Sequence, residues 1–224
     1  MGYNKQFIPY HRICVLDTET TSRFWNSAAP VQIAAIIVDD RGNVLDKFNE
    51  RIRTSHKIDP AASAVNHIYA KDLVNCRTEA PVLKDFVAWI IGNKCDCLLS
   101  YNGRAFDLPM LNRRCKELGL GNIKIFDKDA AEALPHIDGR DTVLAAKKAN
   151  LFGIGTCLGR KWKLTLISEL LGIDSEGAHD AFVDITRLKD VFFTLDPFVN
   201  PSRWTTPNAA PAQQPARRSL IYTK

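Results

Sequence analysis

The sequence predicts an α/β fold on a mixed sheet, and three observations carry that expectation. Residues 13–20, Ile-Cys-Val-Leu-Asp-Thr-Glu-Thr, open with four apolar positions and end polar, the pattern of a buried strand emerging at a sheet edge. Val31 to Asp40 and Val44 to about Ile52 form two further strands around the turn composition Asp40-Arg41-Gly42-Asn43, so part of the sheet is antiparallel. Apolar periods of the helical kind then alternate with short apolar runs.

The elements follow in order. Pro81 to Ile91 has apolar residues at 82, 83, 86, 87, 90 and 91, a helical period closed by Gly92. Cys97 to Tyr101 is a short strand, and Asp107 starts a helix that runs to about Leu118 with Gly119 as its stop. A short strand is expected at Ile123–Phe126, which brings the sheet to about five strands. Asp127 to Leu134 and Thr142 to Lys148 read as helical, with Gly153-Ile154-Gly155 as loop between them and the two last helices, Leu164–Leu171 and Ala181–Phe193. Residues 1–200 make one domain. From 201 to 224 the composition turns to Pro, Ala, Gln, Thr and Ser without apolar period, a disordered basic tail.

Composition narrows the function. The 46% hydrophobic content supports a sizeable core. No stretch approaches the roughly 18 apolar residues of a membrane span, and the N-terminus lacks a secretory apolar region and a myristoylation signal, so the chain reads as soluble and intracellular without a membrane partner. The six cysteines lack zinc-type spacing and read as reduced, mostly buried thiols. The net charge of +5 points to a polyanionic partner, but Arg203, Arg217, Arg218 and Lys224 in the acid-free tail carry most of it and leave the body nearly neutral. A neutral body still suits nucleic acid if some of its acids hold cations. The tail reads as an electrostatic tether to nucleic acid or a docking peptide for a polymerase or other protein.

Three acidic motifs share one architectural address. Asp17 and Glu19, two apart on a strand, project from the same face where the strand leaves the core. Alone, such a pair reads as solvated strand-end charges. Asp107 stands at the mouth of the helix after the strand Cys97–Tyr101, within Asn102-Gly103-Arg104-Ala105-Phe106-Asp107, where a helix cap is the bland reading. In Gly177-Ala178-His179-Asp180-Ala181-Phe182-Val183-Asp184, a helix beginning near Asp180 puts Asp184 one turn in and His179 on the entering loop. In an open sheet, sites form where strand ends converge.

Asp17-Thr-Glu-Thr-Thr, Asn102-x-x-x-Phe106-Asp107 and His179-x-x-x-x-Asp184, in this order over about residues 11–195, resemble the three motifs of the DEDDh exonucleases, whose fold is ribonuclease H-like. The resemblance implies a mixed sheet of about five strands with helices on both faces, and 3′→5′ hydrolysis of nucleic acid to nucleoside monophosphates. It further implies two divalent cations, Mg²⁺ or Mn²⁺, held by Asp17, Glu19, Asp107 and Asp184. Asp17, Glu19 and Asp184 would hold the ion on the nucleophile side, and Asp17 with Asp107, directly or through water, the other; His179 would be the general base. The chemistry asks for these residue types: two ions roughly 3.5–4 Å apart neutralise both the attacking and leaving oxygens of a phosphodiester, and hard ions prefer carboxylate oxygen. An imidazole has a pKa suited to taking the proton of the attacking water.

Substrate contacts are expected from Thr18, Thr20 and Asn102, and from Phe106 unless it belongs to the core. Relatives often carry His-Asn where this chain has Tyr101-Asn102, and Val-His-Gly-Ile where it has Val65-Asn66-His67-Ile68, so either Asn66 or His67 lines the site. The Tyr101–Pro109 stretch leans to a DNA substrate, with RNA or short oligoribonucleotides as the alternative and a non-catalytic nucleic-acid-binding domain as a third reading.

Overall fold

A computed structural model describes residues 10–121, 123–127, 133–159, 162–173 and 180–204. Three strands lead: β1 (Ile13–Thr20), β2 (Pro30–Val38) and β3 (Val44–Arg53) form an antiparallel meander. They are followed by α1 (Pro60–Asn66), the two-residue β4 (Arg77–Thr78), α2 (Glu79–Gly92), β5 (Cys97–Ser100), α3 (Asp107–Glu117), β6 (His136–Asp138), α4 (Gly139–Lys148), α5 (Ile154–Leu158), α6 (Leu164–Leu171) and α7 (Ala181–Val199). The six-stranded sheet has the order β4-β3-β2-β1-β5-β6, with β5 and β6 parallel to β1.

β1 lies inside the sheet and is apolar on both faces. On one face Cys14, Leu16, Ile33 and Leu98 pack against Val82, Phe86 and Ile90 of α2 and Leu108 and Leu111 of α3. On the other, Ile13, Val15, Ala34, Ile36 and Leu99 pack against Ile185, Leu188 and Phe192 of α7. Helices therefore cover both faces. All six cysteines are unpaired, four of them buried, and among the described residues no helix is long and apolar enough to cross a membrane.

Several elements depart from expectation. Lys124–Phe126 is a 3-10 turn, not a strand: Phe126 drops into the core between sheet and helices, where it stacks on Phe86. The edge strand is instead β6, whose three residues are too few to show a period. Asp127, Ala133 and Leu134 are not helical, and residues 128–132 lie outside the described residues. Ile154 and Gly155 open α5 instead of a loop because the buried Ile154 and Leu158 anchor it to the helical cluster. α7 continues six residues past Phe193, through Pro197, because Leu195 and Asp196 are buried.

The tail boundary also shifts. Pro201–Arg203 form a 3-10 turn, and Trp204 packs on Phe192 and Phe193 with ring centroids 5.8 and 5.1 Å away. Asp196, 0% exposed, accepts hydrogen bonds from Arg203 at 2.8 Å, from the Trp204 indole at 2.8 Å and from Thr142 at 2.9 Å. Residues 205–224 lie outside the described residues. Ending the chain after residue 204 should leave the melting temperature unchanged, whereas ending it after residue 200 strands a buried carboxylate and should cost about 3 kcal/mol, a fall of about 6–12 °C. Equal melting temperatures for the two truncations would remove Arg203 and Trp204 from the folded body.

Candidate active site

β1 decides where the acids go. Its odd positions face α7, and the two-residue period carries Asp17 and Glu19 onto the face already occupied by Ile13 and Val15. Its even positions face α2 and α3, and Thr18 follows them, donating its hydroxyl to the Asp107 carboxylate. A register shift against β2 between Glu19 and Thr20 marks a bulge where the strand leaves the core, a device that re-aims side chains.

Asp184 arrives from above. The Asp180 carboxylate caps α7 by accepting from the amides of Phe182 at 2.9 Å and Val183 at 3.3 Å, which leaves Asp184 in the first turn, where the helix dipole favours an anion. Oxygens of Asp17, Glu19 and Asp184 all lie within 4.8 Å of one another. Asp107, the first residue of α3 and 5% exposed, lies alongside this trio but outside it. His179 lies outside the described residues.

So many carboxylates in a partly buried space resist ionisation. Burial pushes Asp17 well up, reinforced by the charges of Asp107, Glu19 and Asp184. Glu19 is raised to about 8 by burial and then by Asp184, with Asn66 opposing. Asp107 is raised to about 6 by burial, against the hydrogen bond from Thr18. Arg187, 2% exposed and one turn along α7, bonds Asp184 at 2.6 Å, so the helix supplies one compensating cation. The donor set is all oxygen and unsaturated in positive charge, which fits a hard divalent cation such as Mg²⁺ or Mn²⁺.

The expected substrate residues separate into two groups. Asn66 is buried beside Glu19 and its side chain donates to the Thr20 carbonyl at 3.3 Å, whereas His67 caps α1 in a left-handed conformation and is exposed. Of the two, Asn66 reaches β1. Thr20 turns its hydroxyl to the Ser22 carbonyl, 2.8 Å away. Phe106 packs on the core beside α3. Asn102 is held by Asp138 through its amide and by Arg140 through its side-chain oxygen. Sequence reasoning missed Asp138, Arg140 and Arg187; Asp138-Gly139-Arg140 has the composition of a helix start, and Arg187 stands at the i+3 spacing from Asp184. A cavity of about 500 Å³ between α3 and residues 125–127 and 133–136 lies apart from the trio. Its wall includes His136, which burial lowers to about 4, so the imidazole is neutral where it bonds Ser100 at 2.8 Å.

Residues 14–192 match the family model RNase_T, described as exonuclease. The chain belongs to the RNase_T exonuclease family. The resemblance to DEDDh 3′→5′ exonucleases of the ribonuclease H-like superfamily is thereby borne out. Among solved structures, this chain is similar to E. coli exonuclease I in a zinc-bound complex with single-stranded DNA, at 18% identity and a TM-score of 0.71 over 87% of this chain and 42% of that one. It is likewise similar to exonuclease I with a dA16 oligonucleotide, at 18% identity and a TM-score of 0.67 over 87% of this chain and 42% of that one. The chain thus spans less than half the length of exonuclease I. No curated protein matches the sequence.

The raised carboxylates make stability depend on pH. In the metal-free protein, protonated Glu19 contributes stability that is complete below its ordinary value of 4.5 and is lost as pH rises through about 8. Thermal unfolding in chelator should show the wild type losing stability relative to Glu19→Gln between about pH 5 and pH 8, and Mg²⁺ should raise the wild-type melting temperature more at the upper pH. A Mg²⁺ effect equal at both pH values would contradict the site.

Proposed function

We propose that this exonuclease removes nucleotides from the 3′ end of DNA, releasing nucleoside monophosphates, with two divalent cations, Mg²⁺ or Mn²⁺, and His179 as general base. The observation that carries the reading is the trio Asp17, Glu19 and Asp184, whose oxygens lie within 4.8 Å of one another with Asp107 alongside. The single-stranded DNA in the exonuclease I complexes supports DNA as the substrate.

In this reading Asp17, central among the four acids, would help hold both ions, with Glu19 and Asp184 holding the one that serves the attacking water and Asp107 the one that serves the leaving oxygen. The Thr18 hydroxyl fixes the Asp107 carboxylate, and Arg187 fixes that of Asp184. Two bound cations would neutralise charge on the phosphate oxygens and acidify the attacking water. His179 accepts the proton of that water as it attacks phosphorus and the bond to the 3′ oxygen breaks. The Asn66 amide, between Glu19 and the Thr20 carbonyl, holds the end of β1 against α1 and so lines the place where the terminal nucleotide sits. The basic tail serves as a tether to long nucleic acid.

Activity on a labelled single strand should vanish in EDTA and return with Mg²⁺ or Mn²⁺ but little with Ca²⁺, and Asp17→Ala should be the most damaging of the four acid substitutions. Degradation of matched DNA and RNA strands side by side tests the substrate; equal or faster loss of RNA would overturn DNA.

His179→Ala should slow hydrolysis by about 10²–10⁴-fold while metal-dependent substrate binding persists. The wild type should lose activity as pH falls and the imidazole is protonated, and the variant should show a flatter profile. Equal rates for the two at neutral pH would take His179 out of the mechanism.

A further inference from the structure

The loop after β5 carries a second organised group of side chains that the four acids do not use. Asn102 adopts a left-handed backbone conformation, with φ 64°. Its amide donates to Asp138 Oδ1 at 2.7 Å, and the amide of Arg140 donates to the same oxygen at 3.1 Å. Asp138, 6% exposed, thus pins the loop and the start of α4 together. The loop runs directly against the site: a Cβ placed on Gly103 would come 3.1 Å from Asp107 Oδ2.

Arg140 is the group's cation. Its Nη1 donates to Asn102 Oδ1 at 2.7 Å, and its guanidinium carbon lies 4.1 Å from the centroid of the Trp162 ring. Asp138 meets Arg140 through the backbone, so no carboxylate forms an ion pair with this guanidinium among the described residues. Its Nε is buried without a partner. The Tyr101 hydroxyl donates to the Trp162 carbonyl and ties the indole to the loop. The indole is 45% exposed all the same, next to the exposed Lys163 that caps α6.

Burying guanidinium surface without an acid partner is costly unless an anion completes it. A planar guanidinium presents its donors in a fork that matches a phosphate, and here stacking and the Asn102 oxygen fix its plane beforehand. An exposed indole offers a face to any base. From these observations we infer that Arg140 and Trp162 form a binding subsite for the single-stranded nucleic acid that feeds the carboxylate site, with Arg140 holding a backbone phosphate and Trp162 stacking on a base. The inference rests on the exonuclease reading above. In it Asn102 orients Arg140 instead of reading the substrate itself, and Lys163 adds charge at the rim.

The test uses the full chain with a 5′-fluorescein-labelled single strand of deoxythymidine, made resistant by a 3′-terminal phosphorothioate, and reads anisotropy across a salt series in Ca²⁺. Arg140→Gln should weaken binding by about tenfold and flatten the slope of log affinity against log salt by about 0.7, the loss of one phosphate contact. Arg140→Lys should retain the slope. Trp162→Leu should weaken binding by about fivefold to tenfold and leave the slope unchanged. All three should keep kcat within about twofold on saturating unmodified strand with Mg²⁺, the cost appearing in KM. Wild-type affinity and slope in Arg140→Gln would overturn the subsite alone, as would a fall in kcat with an unchanged slope, which is the mark of a purely structural arginine. A wild type that neither binds nor degrades the strand would sink the exonuclease reading together with the subsite.

Discussion

The repulsion among Asp17, Glu19 and Asp184 is the constraint around which the rest of the molecule is arranged. Three carboxylates with oxygens inside 4.8 Å of one another do not assemble spontaneously; burial and neighbouring charge raise the cost of ionising Asp17 and Glu19. The apolar body of β1 supplies the opposing force. Ile13 to Leu16 are buried on both faces of the sheet, and removing a strand so enclosed would expose two cores at once. Asp17 and Glu19 are carried into place by residues that have no part in the chemistry.

α7 acts the same way from the other side. Ile185, Leu188 and Phe192 seat it on the sheet, and the Asp180 cap fixes where its first turn begins. Arg187 and the helix dipole each temper the charge of Asp184, so this acid carries compensation that the two acids of β1 lack. Asp107 is compensated differently, through the Thr18 hydroxyl, which joins α3 to β1 between the two acids of the strand. The remaining deficit of positive charge sits between strand and helix, where an anionic phosphate could approach only with cations already present. Arg140 extends the same logic outward, as a cation fixed by stacking beside the Asn102 loop.

Much of this was legible in the sequence because it is governed by local pattern. β1 falls on residues 13–20 as its apolar run predicts, α6 matches 164–171, and Asp180 caps α7 as its position before an apolar period implies. The period of two placed Asp17 and Glu19 on one face. What escaped depends on contacts between distant residues. The strand expected at Ile123–Phe126 is a 3-10 turn because Phe126 is claimed by Phe86, and α7 outlasts Pro197 because Asp196 is bound by Arg203 and Trp204. Neither the left-handed cap that His67 takes at the end of α1 nor the hydrogen bond from the Asn66 side chain to the Thr20 carbonyl was visible in the run Val65-Asn66-His67-Ile68. Arg140 and Trp162, 22 positions apart in the chain, gave no joint signal at all.

The most direct test of the central claim is the number of Mn²⁺ ions bound per chain, measured by calorimetry or electron paramagnetic resonance with a nucleoside monophosphate present to stand in for the terminal nucleotide. The account predicts two ions in the wild type and the loss of both in Asp17→Asn, because on the proposed reading that carboxylate would help hold each of them. Failure of the wild type to bind Mn²⁺, or binding that Asp17→Asn leaves intact, would contradict it.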